Sequence, residues 1–384
     1  MEKTADVVIV GGGVIGLSIA YHLALKKAGK ILLLEKGQLG EGSTSRCAGG
    51  VRTQFSTEIN ILFSLESVKT FRRFREEFGV DPEFRQIGYL FLAATEAEMA
   101  VFRENIELQN RFGIPVELLS PDEIRSRWPY LRTDDIRGGT FCFRDGYAGP
   151  SEVLSGFASG ARRTGVKIHE GKEVTSVLLA GGRVKGVRTG DEEISAPIVV
   201  NAGGPYAASI GATAGLDVPV KPLRRQIFIT APFRLTEQTV PLTIDFHRGW
   251  YFRREVDGFL LSGPLDKESS FNLNIDYGAM AEASENAIYR VPALERATIA
   301  RGWAGLYEIS QDNHAILGKV PEAEGFILAN GFSGHGFQHS QAVGKVISEL
   351  IVEGKASTID ISPLSVERFK QGKLILEPMT AFKE

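Results

Sequence analysis

Residues 6–10 (DVVIV) are apolar and β-branched, the composition of a strand buried on both faces, and they run straight into Gly11-Gly12-Gly13-Val14-Ile15-Gly16. No other stretch restricts the fold so strongly. After the turn, Leu17, Ala20, Leu23 and Ala24 share one helical face, and Gly29 is placed to end the helix. Residues 31–34 (ILLL) supply a second short strand, and Glu35 follows it, 19 positions beyond Gly16. A G-x-G-x-x-G alone is a weak signal. With a strand before it, a helix after it, a second strand and a terminal acid, it predicts a dinucleotide-binding βαβ unit. Gly11 permits the tight turn, Gly13 lets the backbone approach a pyrophosphate, and Gly16 lets helix and strand pack closely. The pyrophosphate would sit on the unpaired N–H groups of the helix N-terminus, and Glu35 would accept hydrogen bonds from ribose hydroxyls.

The chain has room for more than this unit, since 384 residues allow two or three domains at about 150 residues each. No internal repeat or low-complexity linker divides them. With 44 Lys+Arg against 47 Asp+Glu the net charge is −3, which lacks the basic excess of a general nucleic-acid binder. Two cysteines, Cys47 and Cys142, cannot build a disulfide framework or a four-thiolate metal site. No apolar run approaches the roughly 18 residues that span a bilayer, and the opening residues MEKTAD carry no signal pattern, so a cytoplasmic protein is expected. Glycine is frequent, 43 of 384 residues or about 11% against a usual figure of about 7%, so the positions of the other glycines matter.

Residues 40–52 (GEGSTSRCAGGVR) are too polar and glycine-rich for core. Such a loop could wrap a flavin diphosphate and ribityl chain with N–H and hydroxyl donors, whereas an NAD domain more often continues directly into further βα units. Two later stretches favour the flavin. Residues 197–200 (PIVV) lead into Asn201-Ala202-Gly203-Gly204-Pro205, where backbone must approach something closely. Residues 326–329 (FILA) lead into Asn330-Gly331-Phe332-Ser333-Gly334-His335-Gly336-Phe337-Gln338, followed by a helix marked by Val343, Val346, Ile347, Leu350 and Ile351. Its N-terminus could face the flavin pyrimidine edge and stabilise the negative charge of the reduced ring.

With the motifs VVIVGGGVIGLSIAYHLA, LLLEKG, GSTSRCAGGVRTQF, VVNAGG, GWAGLYEISQDNHAILG and NGFSGHGFQHSQAVGK, spread from Val7 to Lys345, the sequence resembles the D-amino-acid-oxidase-like superfamily of FAD amine oxidoreductases. It looks most like the sarcosine oxidase β-subunit branch, which includes β-subunits of archaeal dye-linked L-proline dehydrogenases. The resemblance implies an α/β plus β fold: a Rossmann-like (GR2-type) FAD-binding domain with an inserted antiparallel-sheet substrate domain. The FAD domain would take residues 1–85, 145–215 and 305–384, and the substrate domain 86–144 and 216–304. Strands are expected at 225–230, 242–246, 250–254 and 259–262. The cofactor positions implied are Gly11, Gly13, Val14, Ile15, Gly16, Glu35, Lys36, Ser43, Thr44, Ser45, Arg46, Gly50, Val51, Val174, Ala202, Gly203, Gly305, Gly331, Gly334, His335, Gly336, Phe337 and Gln338.

Flavin amine oxidation removes a hydride from the carbon beside a neutral amine and needs no strong protein base, so the lack of a Ser-His-Asp or Cys-His arrangement is expected. Arg52 aligns with an arginine that holds the substrate carboxylate in monomeric sarcosine oxidases, a role suited to the planar guanidinium. A flavin or structural contact is its alternative. Tyr251 and Tyr307 align with pocket tyrosines, although aromatic residues are more often core. Arg253, two residues beyond Tyr251 on the same strand face, is a second carboxylate candidate; a solvated strand arginine is an equally good reading. His335 aligns with a histidine beside the flavin. His335 and His339 have i,i+4 spacing, but no adjacent carboxylate completes a ligand set, and no metal is expected.

Departures from the family pattern sharpen the expectation. Gly305 stands where monomeric relatives carry a flavin-linking cysteine, and Ser45 where others carry a flavin-linking histidine, so FAD should bind without a covalent bond. Gln338 replaces a carboxylate-binding lysine. Leu260 falls where oxidases place a lysine that promotes reaction with oxygen, which hints at a dehydrogenase. Residues 145–152 (DGYAGPSE) lack the histidine that attaches FMN in heterotetrameric relatives, which leaves room for noncovalent FMN at an interface with an α-subunit or electron-transfer partner, or for FAD alone. Such a partner could hold the chain peripherally at a membrane. The expected reaction is oxidation of a secondary α-amino acid such as L-proline or sarcosine. The alternatives are a glycine- or D-amino-acid-oxidase type acting alone, or a flavoprotein assembly subunit with little turnover.

Overall fold

The computed structural model describes residues 2–379. The strand Val7–Val10 pairs in parallel with Ile31–Leu34 on one side and Ile198–Asn201 on the other, and Lys167–His169 and Ala323–Asn330 extend the array outward. Arg183–Thr189 pairs in parallel with Ala323–Asn330, and Ser176–Ala180, Glu192–Ser195 and Ile316–Val320, each antiparallel to its neighbour, complete a nine-stranded sheet. Both faces are covered, which is why the short central strands have no polar side. Val7, Ile9, Ile31 and Leu33 join a core with the helices Val14–Leu25, Glu58–Phe78, Pro150–Arg163 and Gly336–Glu353. Val8, Val10, Leu32 and Leu34 point the other way, against Val177, Val184 and Val187. The first helix stops at Leu25, short of the expected glycine; Gly29 instead takes φ +88° in the turn that leads to the next strand.

The second sheet has eight strands in the order Ile299–Ser310, Val220–Thr230, Gly258–Leu265, Trp250–Glu255, Leu242–Asp245, Tyr89–Ala93, Gly138–Cys142 and Glu117–Leu119. Strands appear where they are expected between 225 and 262, and Arg225–Thr230 lengthens to Val220–Thr230 because Ile299–Ser310 pairs along all of it. The sheet is not wholly antiparallel. Leu242–Asp245 runs parallel to Tyr89–Ala93, because two remote chain segments meet there without a hairpin. The buried Arg290 guanidinium fastens this junction, donating to Asp245 at 2.7 and 2.9 Å and to Asp135 at 2.8 and 3.0 Å. Between the two sheets, Gly50–Val51 pairs with Gly146–Tyr147. Ile299–Ser310 runs unbroken past residue 305 and carries Gly305 and Tyr307 to the same region.

Candidate active site

The glycine motifs converge at the carboxyl ends of the parallel strands. Gly11 has φ +114°, and a Cβ there would lie 2.3 Å from the Ala202 carbonyl oxygen; at Gly16 it would lie 2.0 Å from the Gly11 oxygen. Only glycine fits either position. The helix Val14–Leu25 starts at Gly13 with no acidic residue in its first turn, and the Val14 N–H donates to the Thr44 hydroxyl at 3.1 Å. Glu35 is fixed at the next strand end by N–H donors of Gly12 (2.6 Å) and Gly37 (2.8 Å). Ile15 and Val51 are buried beside the turn, Val174 is half-buried, and Lys36 lies 3.1 Å over the Tyr206 ring. Gly203 donates to the Asn201 side chain at 3.1 Å, which sets the turn after that strand.

The 40–52 loop is stitched to the Ile299–Ser310 strand. Ser43 donates to the Leu306 carbonyl at 2.7 Å, Arg46 to the Ala304 carbonyl at 2.9 Å, and the Trp303 indole to the Arg46 carbonyl at 3.0 Å. Ser45 is exposed, and Gly305 packs so closely that a Cβ would meet the Arg46 side chain at 3.0 Å. The third glycine loop is zipped to the end of the same strand. Glu308 accepts from the Gly331 N–H at 3.1 Å, Ser333 donates to the Glu308 carbonyl at 3.0 Å, and Ser310 donates to the Ser333 hydroxyl at 3.1 Å. Burial raises the Glu308 carboxyl to about 8, against the lowering effect of the Gly331 and Phe332 N–H groups. Gly331 (φ +70°) and Gly334 (φ +93°) carry the loop forward, and a Cβ on Gly334 would sit 2.7 Å from the Tyr307 ring. His335 then starts the helix Gly336–Glu353 without a side-chain cap or an acid in the first turn, and Phe337 and Gln338 are buried behind it. Two helix N-termini whose N-cap residues supply no side-chain cap, a glycine turn with no space for a side chain and a fixed carboxylate fit a dinucleotide. The Gly11–Gly16 turn would hold the pyrophosphate and Glu35 the ribose.

Next to this bed, side chains from separate elements form a second cluster. Arg52 is placed by its neighbours: its N–H donates to the Gln338 side chain at 2.8 Å, and Thr53 donates to Asp145 from both N–H (2.9 Å) and hydroxyl (2.7 Å). Gln54 also donates to Asp145, at 3.2 Å. The Arg52 guanidinium donates to the Gln54 carbonyl and lies 3.8 Å from the Phe55 ring centre and 5.4 Å from that of Phe91. Burial lowers its pKa, opposed by Tyr89, Glu377, Asp145 and Tyr307, so a carboxylate bound beside it would offset the cost of burying the charge. Tyr251 is bonded to Tyr307, and burial pushes its phenol well above the ordinary value. His335 is edge-on to Phe55 at 5.1 Å, and burial together with Arg52 keeps its imidazole neutral. The structure therefore brings Arg52, Tyr251, Tyr307 and His335 together.

Arg253 has a different placement. Its guanidinium donates to the Ala48 and Arg254 carbonyls at 2.7 Å, pairs with Glu255 at 2.6 Å and covers the Tyr147 ring at 4.3 Å, so it braces the 40–52 loop. Beside the tyrosines stands Arg225, 4.9 Å from the Tyr251 ring and 5.9 Å from Tyr307. Sequence reading missed it, although the adjacent Arg224 and Arg225 ahead of the apolar run 227–229 were a signal. Tyr89 was also missed; burial and Tyr307 raise its pKa while Arg52 lowers it. Leu260 is buried in an apolar cluster against Ile227, Ile229, Ala48 and Tyr251. His339 bonds to the Ser64 hydroxyl at 3.0 Å.

The chain matches the family described as DAO, FAD dependent oxidoreductase, over residues 6–350. It belongs to that family. The DAO-family chain superimposes on the crystal structure of L-proline dehydrogenase from P. horikoshii with a TM-score of 0.91 and 34% identity, covering 98% of this chain and 100% of that one. It is 33% identical to FAD-dependent oxidoreductase domain-containing protein 1 of Xenopus laevis, over 98% of this chain and 84% of that protein. It is 30% identical to mitochondrial dimethylglycine dehydrogenase of Rattus norvegicus over 96% of this chain, which spans 45% of that protein. Among the described residues of this DAO-family chain, no helix is long and apolar enough to cross a membrane, and no group of three His, Cys, Asp or Glu could hold a metal ion.

Proposed function

We propose that this FAD-dependent oxidoreductase oxidises a secondary α-amino acid of the L-proline or sarcosine type. The observation that carries the reading is the cluster of buried Arg52 and His335 with the half-buried Tyr251 and Tyr307, set against the loop that opens the Gly336–Glu353 helix. The flavin, when bound, supplies the hydride acceptor. Arg52 would bind the substrate carboxylate, and a guanidinium lowered in pKa by burial gains from a bidentate anion. Tyr251 and Tyr307 would wall the pocket and exclude water, with Tyr251 kept protonated as a hydrogen-bond donor. His335, neutral through burial, leaves the region free of a second charge that would oppose binding of a neutral amine. The likeness to proteins named for L-proline and for dimethylglycine, both N-substituted amino acids, favours a substituted nitrogen.

Gly305 and Ser45 offer the cofactor no linking side chain, which supports noncovalent FAD. The apolar surroundings of Leu260 support a dehydrogenase that delivers electrons to a partner. An α-subunit or electron-transfer protein would be that partner, with FMN at the interface in one arrangement. It would also hold a cytoplasmic chain at a membrane. The two sheets support a discontinuous FAD domain (1–85, 145–215, 305–384) and substrate domain (86–144, 216–304), sharing the Ile299–Ser310 strand.

An anaerobic absorbance titration of the flavin-loaded chain tests the reading. Bleaching by L-proline or sarcosine is the expected result. Bleaching only by glycine or D-alanine would replace it with the glycine- or D-amino-acid-oxidase type. No bleaching by any amino acid would favour an assembly flavoprotein.

A further inference from the structure

Beyond the helix Glu367–Lys370 the chain loses regular structure yet makes specific contacts with residues 56–60, with Asp312 and with the Tyr89–Ala93 strand. Side chains alternate along residues 374–379. Leu374 and Leu376 face outward, 37% and 71% exposed, whereas Glu377 and Met379 are 2% and 5% exposed. Glu377 accepts from the Ser56 N–H at 2.7 Å, the Thr57 hydroxyl at 2.9 Å and the Asn60 side chain at 3.0 Å. These groups form the entry to the helix Glu58–Phe78, where unpaired N–H groups and the helix dipole favour a carboxylate. One strand-like step earlier, the Ile375 N–H donates to Asp312 at 3.2 Å, and Asp312 is itself clamped by Arg368 at 2.7 and 2.9 Å.

Met379 enters the apolar cluster of Tyr89, Phe91, Phe102 and Leu242, against which Tyr251 and Ile244 rest. Tyr89 and Phe91 stack at 5.4 Å, and the Arg52 guanidinium lies over Phe91. The thioether therefore shares one cluster with two tyrosines of the candidate pocket and with a ring that lies beside its cation. Glu377 acts on the same cation, since its charge favours the protonated Arg52.

We propose that residues 373–379 form a strap across the substrate pocket, latched by Glu377, and that Met379 is a wall residue that sets the size of the amino acid accepted. Methionine suits a wall of this kind, being unbranched and able to fill irregular apolar space. The proposal rests on the amino-acid reading of the site.

The test uses the flavin-loaded full chain, with wild type, Met379→Ala and Glu377→Gln compared. Two readouts are taken: the dissociation constant of the unreactive analogue pyrrole-2-carboxylate, from the shift it causes in flavin absorbance, and the ratio of kcat/KM for L-pipecolate to that for L-proline. One ring methylene in an apolar pocket changes discrimination by about tenfold or more. Met379→Ala is therefore expected to weaken the analogue by about fivefold or more and to raise the pipecolate-to-proline ratio by a similar factor. Glu377→Gln should shift both in the same direction by less. If Met379→Ala does not retain flavin, Met379→Phe takes its place and should lower the ratio. Both readouts staying within about twofold of wild type, with flavin content unchanged, would overturn the strap. If no amino acid bleaches the wild-type flavin, the amino-acid reading falls. The analogue's dissociation constant in the variants then decides the strap alone, with change supporting it and constancy ending it.

Discussion

The bed beneath the glycine turns and the pocket around Arg52 are built from different materials. In the bed, backbone N–H groups and missing side chains make the surface: Gly11 and Gly16 stand where any Cβ would strike a carbonyl oxygen, and the N-cap residues of two helices supply no side-chain cap. In the pocket, side chains make the surface, and they come from the 50–55 segment, the strands at 89–93, 220–230, 250–255 and 299–310, and the loop before residue 336. A pyrophosphate presents the same charge in every dinucleotide enzyme, so a backbone solution serves unchanged. A substrate differs from one relative to the next, and only replaceable side chains can follow it. The glycine-built half should therefore tolerate almost no substitution, and the side-chain half should accept changes that alter affinity while leaving the fold and the cofactor in place.

The largest expected effect comes from Gly16→Ala. Its methyl would overlap the Gly11 carbonyl at 2.0 Å, so the purified protein should lose most of its flavin, measured as the ratio of flavin to protein absorbance. Full flavin content in that variant would break the contrast. Glu308→Gln asks whether the bed stands on backbone alone. The folded carboxyl titrates at about 8 against an ordinary 4.5, so the folded chain holds a proton that the unfolded chain has released. Stability is then fully present below about pH 4.5 and is lost as pH rises through about 8, by up to a few kcal/mol. Urea midpoints of the flavin-free chain at pH 5 and pH 9 should differ more for wild type than for Glu308→Gln. Equal differences would remove Glu308 as the cause.

Arg52→Lys probes the other half. Loss of the planar fork should raise the substrate KM by about 30-fold, roughly 2 kcal/mol, with flavin content unchanged. A KM within twofold of wild type would end the carboxylate role. Tyr251→Phe removes one phenolic hydrogen bond to Tyr307 and should lower kcat/KM by about fivefold, near 1 kcal/mol. A larger fall in flavin content than in kcat/KM would place Tyr251 with the cofactor bed instead.

The two halves also differ in how far they can be read from sequence. The βαβ unit is legible because its parts are contiguous and its constraint falls on residue type: Gly11, Gly16 and Glu35 occupy the expected turn and strand ends. Arg253 and Arg225 show the limit. Both are arginines on strands of the second sheet, separated by the Gly258–Leu265 strand, and alternation along the Trp250–Glu255 strand places Arg253 on the face of Tyr251. What occupies each guanidinium depends on partners remote in sequence. Ala48 takes Arg253, with Glu255 two positions along the strand as its ion-pair partner, whereas Arg225 lies against Tyr251 and Tyr307. Tyr89 escaped notice for a related reason, since the parallel pairing of its strand with Leu242–Asp245 joins segments that no hairpin signal connects.

The sequence by itself determined the dinucleotide turn, the short strands that lead into and follow its helix, and the three glycine loops, because steric exclusion at a glycine and burial of a short apolar strand are local constraints. Tertiary structure alone decided which arginine stands with the tyrosines, that Glu308 props the third loop, and that residues 373–379 return to the pocket through Glu377 and Met379. Those outcomes depend on contacts between groups far apart along the chain, whose energies exist only once the sheets have brought them within a few ångströms.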